Sequence, residues 1–160
     1  MLLTNGRICA SRNQLKTMNH QFSFYMKQKT SYKNNLISLL DQTYPGINDF
    51  FDSPARSDGS QKWVDFVSSF WHVDCVRSLG LATFTERYQK WCKRHGYNFQ
   101  PEKPAQIYSF SKELISVFTK DSVTKFLVKQ AVEQLNTVSF TVEQLRLEMN
   151  RLAAQLPEYQ

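Results

Sequence analysis

Glycine is scarce in this chain, five residues in 160, and none belongs to a glycine-rich loop, so the backbone cradle that holds a nucleotide phosphate is missing. Cysteine is scarcer still. Cys9, Cys75 and Cys92 are an odd number of widely spaced thiols, which excludes a disulfide framework and fits a reducing compartment. No apolar run approaches the roughly 18 residues that a membrane span needs. Met1-Leu2-Leu3 gives way at once to Thr4-Asn5-Gly6-Arg7, so no signal-peptide core is expected and the chain reads as soluble, cytoplasmic and without a membrane partner. Carboxylates are absent from the first forty residues, Asp41 being the first.

Present in quantity are apolar residues at helical spacing. Between Val128 and Leu156 they fall at Val128, Ala131, Leu135, Val138, Val142, Leu145, Met149, Leu152 and Leu156, in steps of three and four that a strand cannot produce. As a helix this segment is roughly 45 Å long, with a stripe too narrow for an ordinary core helix. Leu15, Met18, Phe22, Tyr25, Lys29, Tyr32, Leu36 and Leu39 repeat the rhythm near the other end, with Lys29 as the polar intruder. The expectation is an all-α chain whose two long heptad helices form a coiled-coil hairpin or dimer flanking a small helical insertion; two core helices of one bundle are the plainer alternative.

The net charge of +6 is concentrated on the first arm. Residues 1 to 45 carry Arg7, Arg12, Lys16, Lys27, Lys29 and Lys33 against Asp41 alone, whereas the rest of the chain is nearly balanced. Lys16, Lys27 and Lys33 fall outside the apolar seam, where they are candidates to meet a phosphate backbone; a solvated polar face is the bland reading.

Three segments follow. Residues 1–46 hold a lead-in without periodicity up to about residue 12 and the basic first arm, which stops at Tyr44-Pro45-Gly46. Residues 47–121 form an aromatic-rich insertion. It begins with a short apolar run from Ile47 to Phe51 and a turn-rich loop, Asp52 to Ser60, expected to be the most flexible point. Helices are expected from Gln61 to Leu79 after a Ser60 cap, from a Thr83 cap to His95 with Gly96 as its stop, and from about Ala105 to Phe118. Residues 122–160 make the second arm.

His72-x-x-Cys75 and Cys92-x-x-His95 form a symmetric pair of motifs whose members, three apart, share a helix face and suit tetrahedral zinc. Two buried cysteines and two partly exposed histidines inside an aromatic cluster are the alternative. Catalytic residues are expected to be none: the acids are scattered beside basic residues, and no Gly-x-Ser-x-Gly elbow is present.

Several stretches carry a resemblance. Arg12-Asn13-Gln14-Leu15 leads toward Lys33-Asn34-Asn35-Leu36-Ile37-Ser38-Leu39-Leu40-Asp41-Gln42-Thr43-Tyr44-Pro45-Gly46, the most specific block. With Lys62-Trp63-Val64-Asp65-Phe66-Val67, Trp91-Cys92-Lys93-Arg94-His95-Gly96 and the closing run Leu152 to Tyr159, it resembles the middle of a bacterial insertion-sequence transposase of the one-ten group. Members of that family join a RuvC-like DEDD domain to a C-terminal serine-bearing transposase domain and are guided by a bridge RNA. The resemblance covers almost the whole chain and implies the helical coiled-coil linker that helps subunits associate. It places the DEDD carboxylates, with their divalent metal, upstream of Met1 and the catalytic serine downstream of Gln160, so the chain reads as an internal fragment. DNA, guide RNA and further copies of the subunit are the implied partners. Leu15, Met18, Phe22, Tyr32, Leu36, Leu135, Val138, Leu145, Met149 and Leu152 are the expected assembly residues, and Lys16, Lys27 and Lys33 the expected nucleic-acid contacts.

Overall fold

A computed structural model describes residues 4–157; Glu158 and Tyr159 of the closing run lie outside them. Among the described residues the protein is all helical and has no strand. The order is α1 (Asn5–Thr43), a 3-10 turn (Ile47–Phe50), α2 (Lys62–Ser69), α3 (Asp74–Arg77), α4 (Leu81–His95), α5 (Lys103–Lys112) and α6 (Ser122–Ala153). The lead-in is therefore helical from Asn5, so α1 runs for 39 residues and α6 for 32.

The chain divides into two compact units that cut across the three sequence segments, because each long helix contributes to both. The first comprises Met1–Lys33, Ala55–Ser60 and Gln134–Gln160. Its Ala55–Ser60 segment, the later part of the loop expected to be flexible, is held by its own bonds: Arg56 N–H donates to Ser60 O at 2.8 Å, Gly59 N–H to Arg56 O at 2.8 Å, and Ser60 N–H to Asp58 Oδ1 at 2.9 Å. Gly59 has a φ of +87°, and a Cβ there would stand 2.6 Å from the Ser139 carbonyl oxygen of α6. Only glycine lets the loop approach the helix backbone this closely.

The second unit comprises Asn34–Pro54 and Gln61–Glu133 and is built on rings. Phe66 stacks on Phe70 with centroids 4.7 Å apart and meets Trp91 edge to face at 5.7 Å, while Trp91 stacks on Tyr88 at 5.6 Å. On α4, Phe84, Tyr88, Trp91 and Cys92 recur every three to four residues, which places them on one buried face. The helix stops at Gly96, φ 71°, where Tyr97 N–H reaches Cys92 O at 2.8 Å and Gly96 N–H reaches Lys93 O at 3.3 Å, a Schellman closure. Its start lies at Gly80 rather than at a Thr83 cap, and α2 is preceded by Gln61 rather than Ser60.

Two expected helices are interrupted. The Gln61 to Leu79 run breaks after Ser69, because Val73 N–H donates to Thr43 O at 3.0 Å and Asp74 N–H to His72 Nδ1 at 2.9 Å; these donors are lost to a continuous α-helix. The helix expected to reach Phe118 ends at Lys112. Val117 and Phe118 instead give their N–H groups to Gln42 O, at 3.0 and 2.9 Å, satisfying a carbonyl that the end of α1 leaves open. Asp121 then caps α6 by accepting Thr124 N–H at 2.9 Å.

Candidate assembly surface and nucleic-acid face

The apolar stripes on α1 and α6 lie where their spacing puts them. On α6, Val128, Ala131, Leu135, Val138, Val142 and Leu152 are buried, and Leu145 and Met149 half-buried; Leu156, just past the end of the helix, is buried as well. On α1, Leu36 is fully buried, whereas Leu15, Met18, Phe22, Tyr25, Lys29, Tyr32 and Leu39 are only half-buried. Within the first unit this leaves open grooves. One, of about 320 Å³, is lined by Tyr25 and Tyr32 of α1 and by Thr137 and Val138 of α6; another, of about 510 Å³, by Met18 and by Leu152. Between them the Arg146 guanidinium lies 5.2 Å from the centre of the Phe22 ring, a cation–π contact that covers part of the stripe with a charge.

Lys16, Lys27 and Lys33 are all exposed, but they do not share one face. At about 100° per residue Lys16 and Lys27 are about 20° apart around α1, opposite the stripe, while Lys33 is about 120° away from Lys27. The two aligned lysines stand about 16 Å apart along the axis. Arg12 and His20, also exposed, fall on the same side within about 40° of Lys16. Sequence reasoning passed over these two because it sorted residues by charge and by distance from the seam, not by angle. With no carboxylate among residues 5 to 40, this face is uniformly basic or neutral.

The four zinc candidates are not brought together. Among the described residues no three His, Cys, Asp or Glu side chains converge as a metal-holding group. His72, expected to be partly exposed, is fully buried, and both ring nitrogens are engaged. Nδ1 accepts from Asp74 N–H, so Nε2 carries the proton and donates to Phe118 O at 2.8 Å, leaving no lone pair for a metal. His95 is half-buried, tilted against Trp91 and stacked on Tyr97, with centroids 5.2 and 6.3 Å away. Cys92 is buried and Cys75 half-buried, and burial pushes both thiols above their ordinary pKa, the opposite of what a thiolate ligand needs.

The remaining polar groups of the second unit tie its elements together. Tyr44 OH pairs with Ser111 Oγ inside the core, where burial first and foremost raises the phenol pKa. Tyr97 OH donates to Asp65 Oδ2 at 2.5 Å, and Lys103 Nζ donates to Phe50 O at 2.8 Å. Ser111 Oγ also bonds Ile107 O of its own helix at 2.7 Å, and the Tyr44, Tyr97 and Lys103 contacts each join one element of the unit to another, so they read as structural bonds. Among the described residues no helix is long and apolar enough to cross a membrane. Compared with family models, with curated proteins and with solved structures, the chain finds no match.

Proposed function

We propose that this chain is a connecting and assembly segment of an insertion-sequence transposase of the one-ten group, catalytically incomplete by itself, whose parent protein moves DNA under RNA guidance. The family assignment rests on the sequence resemblance, above all on the block from Lys33 to Gly46. The observation that carries the assembly role is the unfinished burial of the stripe in the first unit. Leu15, Met18, Phe22, Tyr32, Leu145 and Met149 keep apolar surface exposed at heptad spacing, where a closed core would cover it. A coiled-coil pairing of the arms, completed by a second copy, buries that surface. Lys16 and Lys27 then point away from the seam and remain available to a phosphate backbone. The divalent metal of the parent belongs to its RuvC-like domain and involves no residue of this chain.

Light scattering on the purified chain tests the assembly role. A concentration-dependent molar mass above that of one chain is expected, and Leu145→Glu together with Met18→Glu should return it to the monomer value. A wild-type chain that stays monomeric at every concentration refutes it. Translation of the DNA flanking this reading frame tests the family assignment: an acidic RuvC-like segment on one side and a serine-bearing segment on the other are expected.

A second reading, a helical adaptor that stands alone and associates with transposase or nucleic acid, draws support from the second unit. Its aromatic core is closed by residues of this chain, with Tyr44, Phe66, Phe84, Tyr88 and Trp91 fully buried. Unrelated flanking sequence around an intact reading frame favours this reading.

A further inference from the structure

The outer face of α4, in the second unit, has no part in either role. This helix turns Phe84, Tyr88, Trp91 and Cys92 into the core, and its opposite side carries Arg87, Lys90, Lys93 and Arg94, all exposed. At about 100° per residue Arg87, Lys90 and Arg94 fall within about 60° of one another, and Lys93 lies about 60° beyond Lys90. Arg87 and Arg94 stand about 10.5 Å apart along the axis, with Lys90 between them. Three cations thus form a line along two turns, with a fourth at its edge.

Little of this charge is compensated. Residues 87 to 101 contain no carboxylate. Glu86, the only acid of α4, is paired with Lys90 at 3.0 Å, while Arg87, Lys93 and Arg94 form no ion pair among the described residues. Cations in the last turn complement the negative end of a helix, which accounts for Lys93 and Arg94 but not for Lys90 and Arg87, one and two turns before Arg94. The stripe is also rigidly mounted. Tyr88 and Trp91 beneath it are fully buried, and the closure at Gly96 fixes the end of the helix, so the charges are in place before any partner arrives.

We propose that this stripe binds the phosphate backbone of double-stranded DNA without reading its sequence. Within the arc of Arg87, Lys90 and Arg94 no apolar side chain is exposed, whereas a docking protein needs a desolvated apolar centre; a phosphate backbone needs only charge. Single-stranded nucleic acid stacks its bases on exposed rings, and Phe84, Tyr88 and Trp91 are all on the buried side. A lipid surface takes up the apolar face of a helix, which here is committed to the core. Double-stranded RNA is recognised largely through its 2′-hydroxyls. The line from Arg87 to Arg94 has no hydroxyl or amide to meet them: Thr83 precedes it by a turn, and Gln89 lies about 100° or more around the helix from its three cations. The inference goes beyond the basic face of α1, since it concerns the other unit and rests on the charge of α4 alone, without the transposase assignment.

The test follows anisotropy of a fluorescent random-sequence DNA duplex titrated with the full chain over a range of salt. Saturable binding is expected, and Arg87→Gln together with Arg94→Gln should weaken it about tenfold or more and lower the salt slope by about two counterions, with circular dichroism unchanged. Arg87→Lys together with Arg94→Lys, which keeps the charge, should retain most of the affinity and the slope. Lys16→Glu together with Lys27→Glu tests the α1 face separately, and the loss caused by the glutamine pair should persist in that background. A duplex that does not bind, or that binds the glutamine variant with unchanged affinity and slope, overturns the proposal. Equal binding of duplex RNA, single-stranded DNA or anionic lipid vesicles, lost in the same variant, overturns it too.

Discussion

His72 Nε2 donates to the carbonyl of Phe118 across 46 residues of chain, and the same ring accepts the backbone N–H of Asp74. A single fully buried imidazole thereby fixes the break between α2 and α3 and the path of the strap that leads into α6.

His72→Ala should leave Phe118 O and Asp74 N–H without their partner and open a cavity in the same place. A loss of about 2–4 kcal/mol in denaturant unfolding is expected. His72→Asn, which keeps one donor and one acceptor, should lose less. Because both ring nitrogens are already bonded, EDTA should leave the melting temperature of the wild-type protein unchanged.

Gly59→Ala forces a Cβ into the Ser139 carbonyl at a positive φ and should cost about 2–4 kcal/mol in urea unfolding. Gly6→Ala is the control. Gly6 lies in α1 with open space where a Cβ would go, so that substitution should be neutral or stabilise by up to about 1 kcal/mol.

Lys16→Glu and Lys27→Glu alter one face of α1, whereas Lys33→Glu alters another. In filter binding of structured RNA the first two together should weaken affinity more than either combined with Lys33→Glu, and should flatten the salt dependence by about two counterions. Equal effects of all pairs would mean that no defined face is used.

Asp121 is a cap whose pKa is lowered, chiefly by the Thr124 N–H bond and then by the Thr119 hydroxyl. A carboxyl whose folded pKa lies below its ordinary value of 3.8 adds stability above that value and loses it as pH falls through the folded pKa. Asp121→Ala should therefore destabilise α6 at pH 7, Asp121→Asn should retain most of the capping, and wild type and the Asn variant should converge in stability below about pH 3.

The two long helices and their stripes were legible because helical periodicity is a local property. Every position assigned to the α6 stripe is buried or half-buried, and Gly96 and the Pro45-Gly46 pair end α4 and α1 as their backbone preferences require. The exposure of Lys16, Lys27 and Lys33 followed from the same periodicity; that Lys33 stands apart from the other two also followed from it, once angles were compared. His72 was misjudged. Its spacing to Cys75 suggested a shared face, but the ring is held by the backbone of Phe118, which no local pattern signals.

What the sequence determined by itself was the all-helical class, the two heptad arms, the basic carboxylate-free outer face of α1 and the aromatic composition of the insertion. These depend on side-chain spacing and charge within a few turns of one helix. Tertiary structure decided where helices stop without a glycine or proline, at Ser69 and at Lys112, because donors there are claimed by Thr43 O and Gln42 O from far along the chain. It also decided that the Ala55–Ser60 segment is anchored at Ser139 and that Val117 and Val123 face outward around a groove. Hydrogen-bond partners and close approaches between distant segments set those features, and such pairings exist only once the chain has folded.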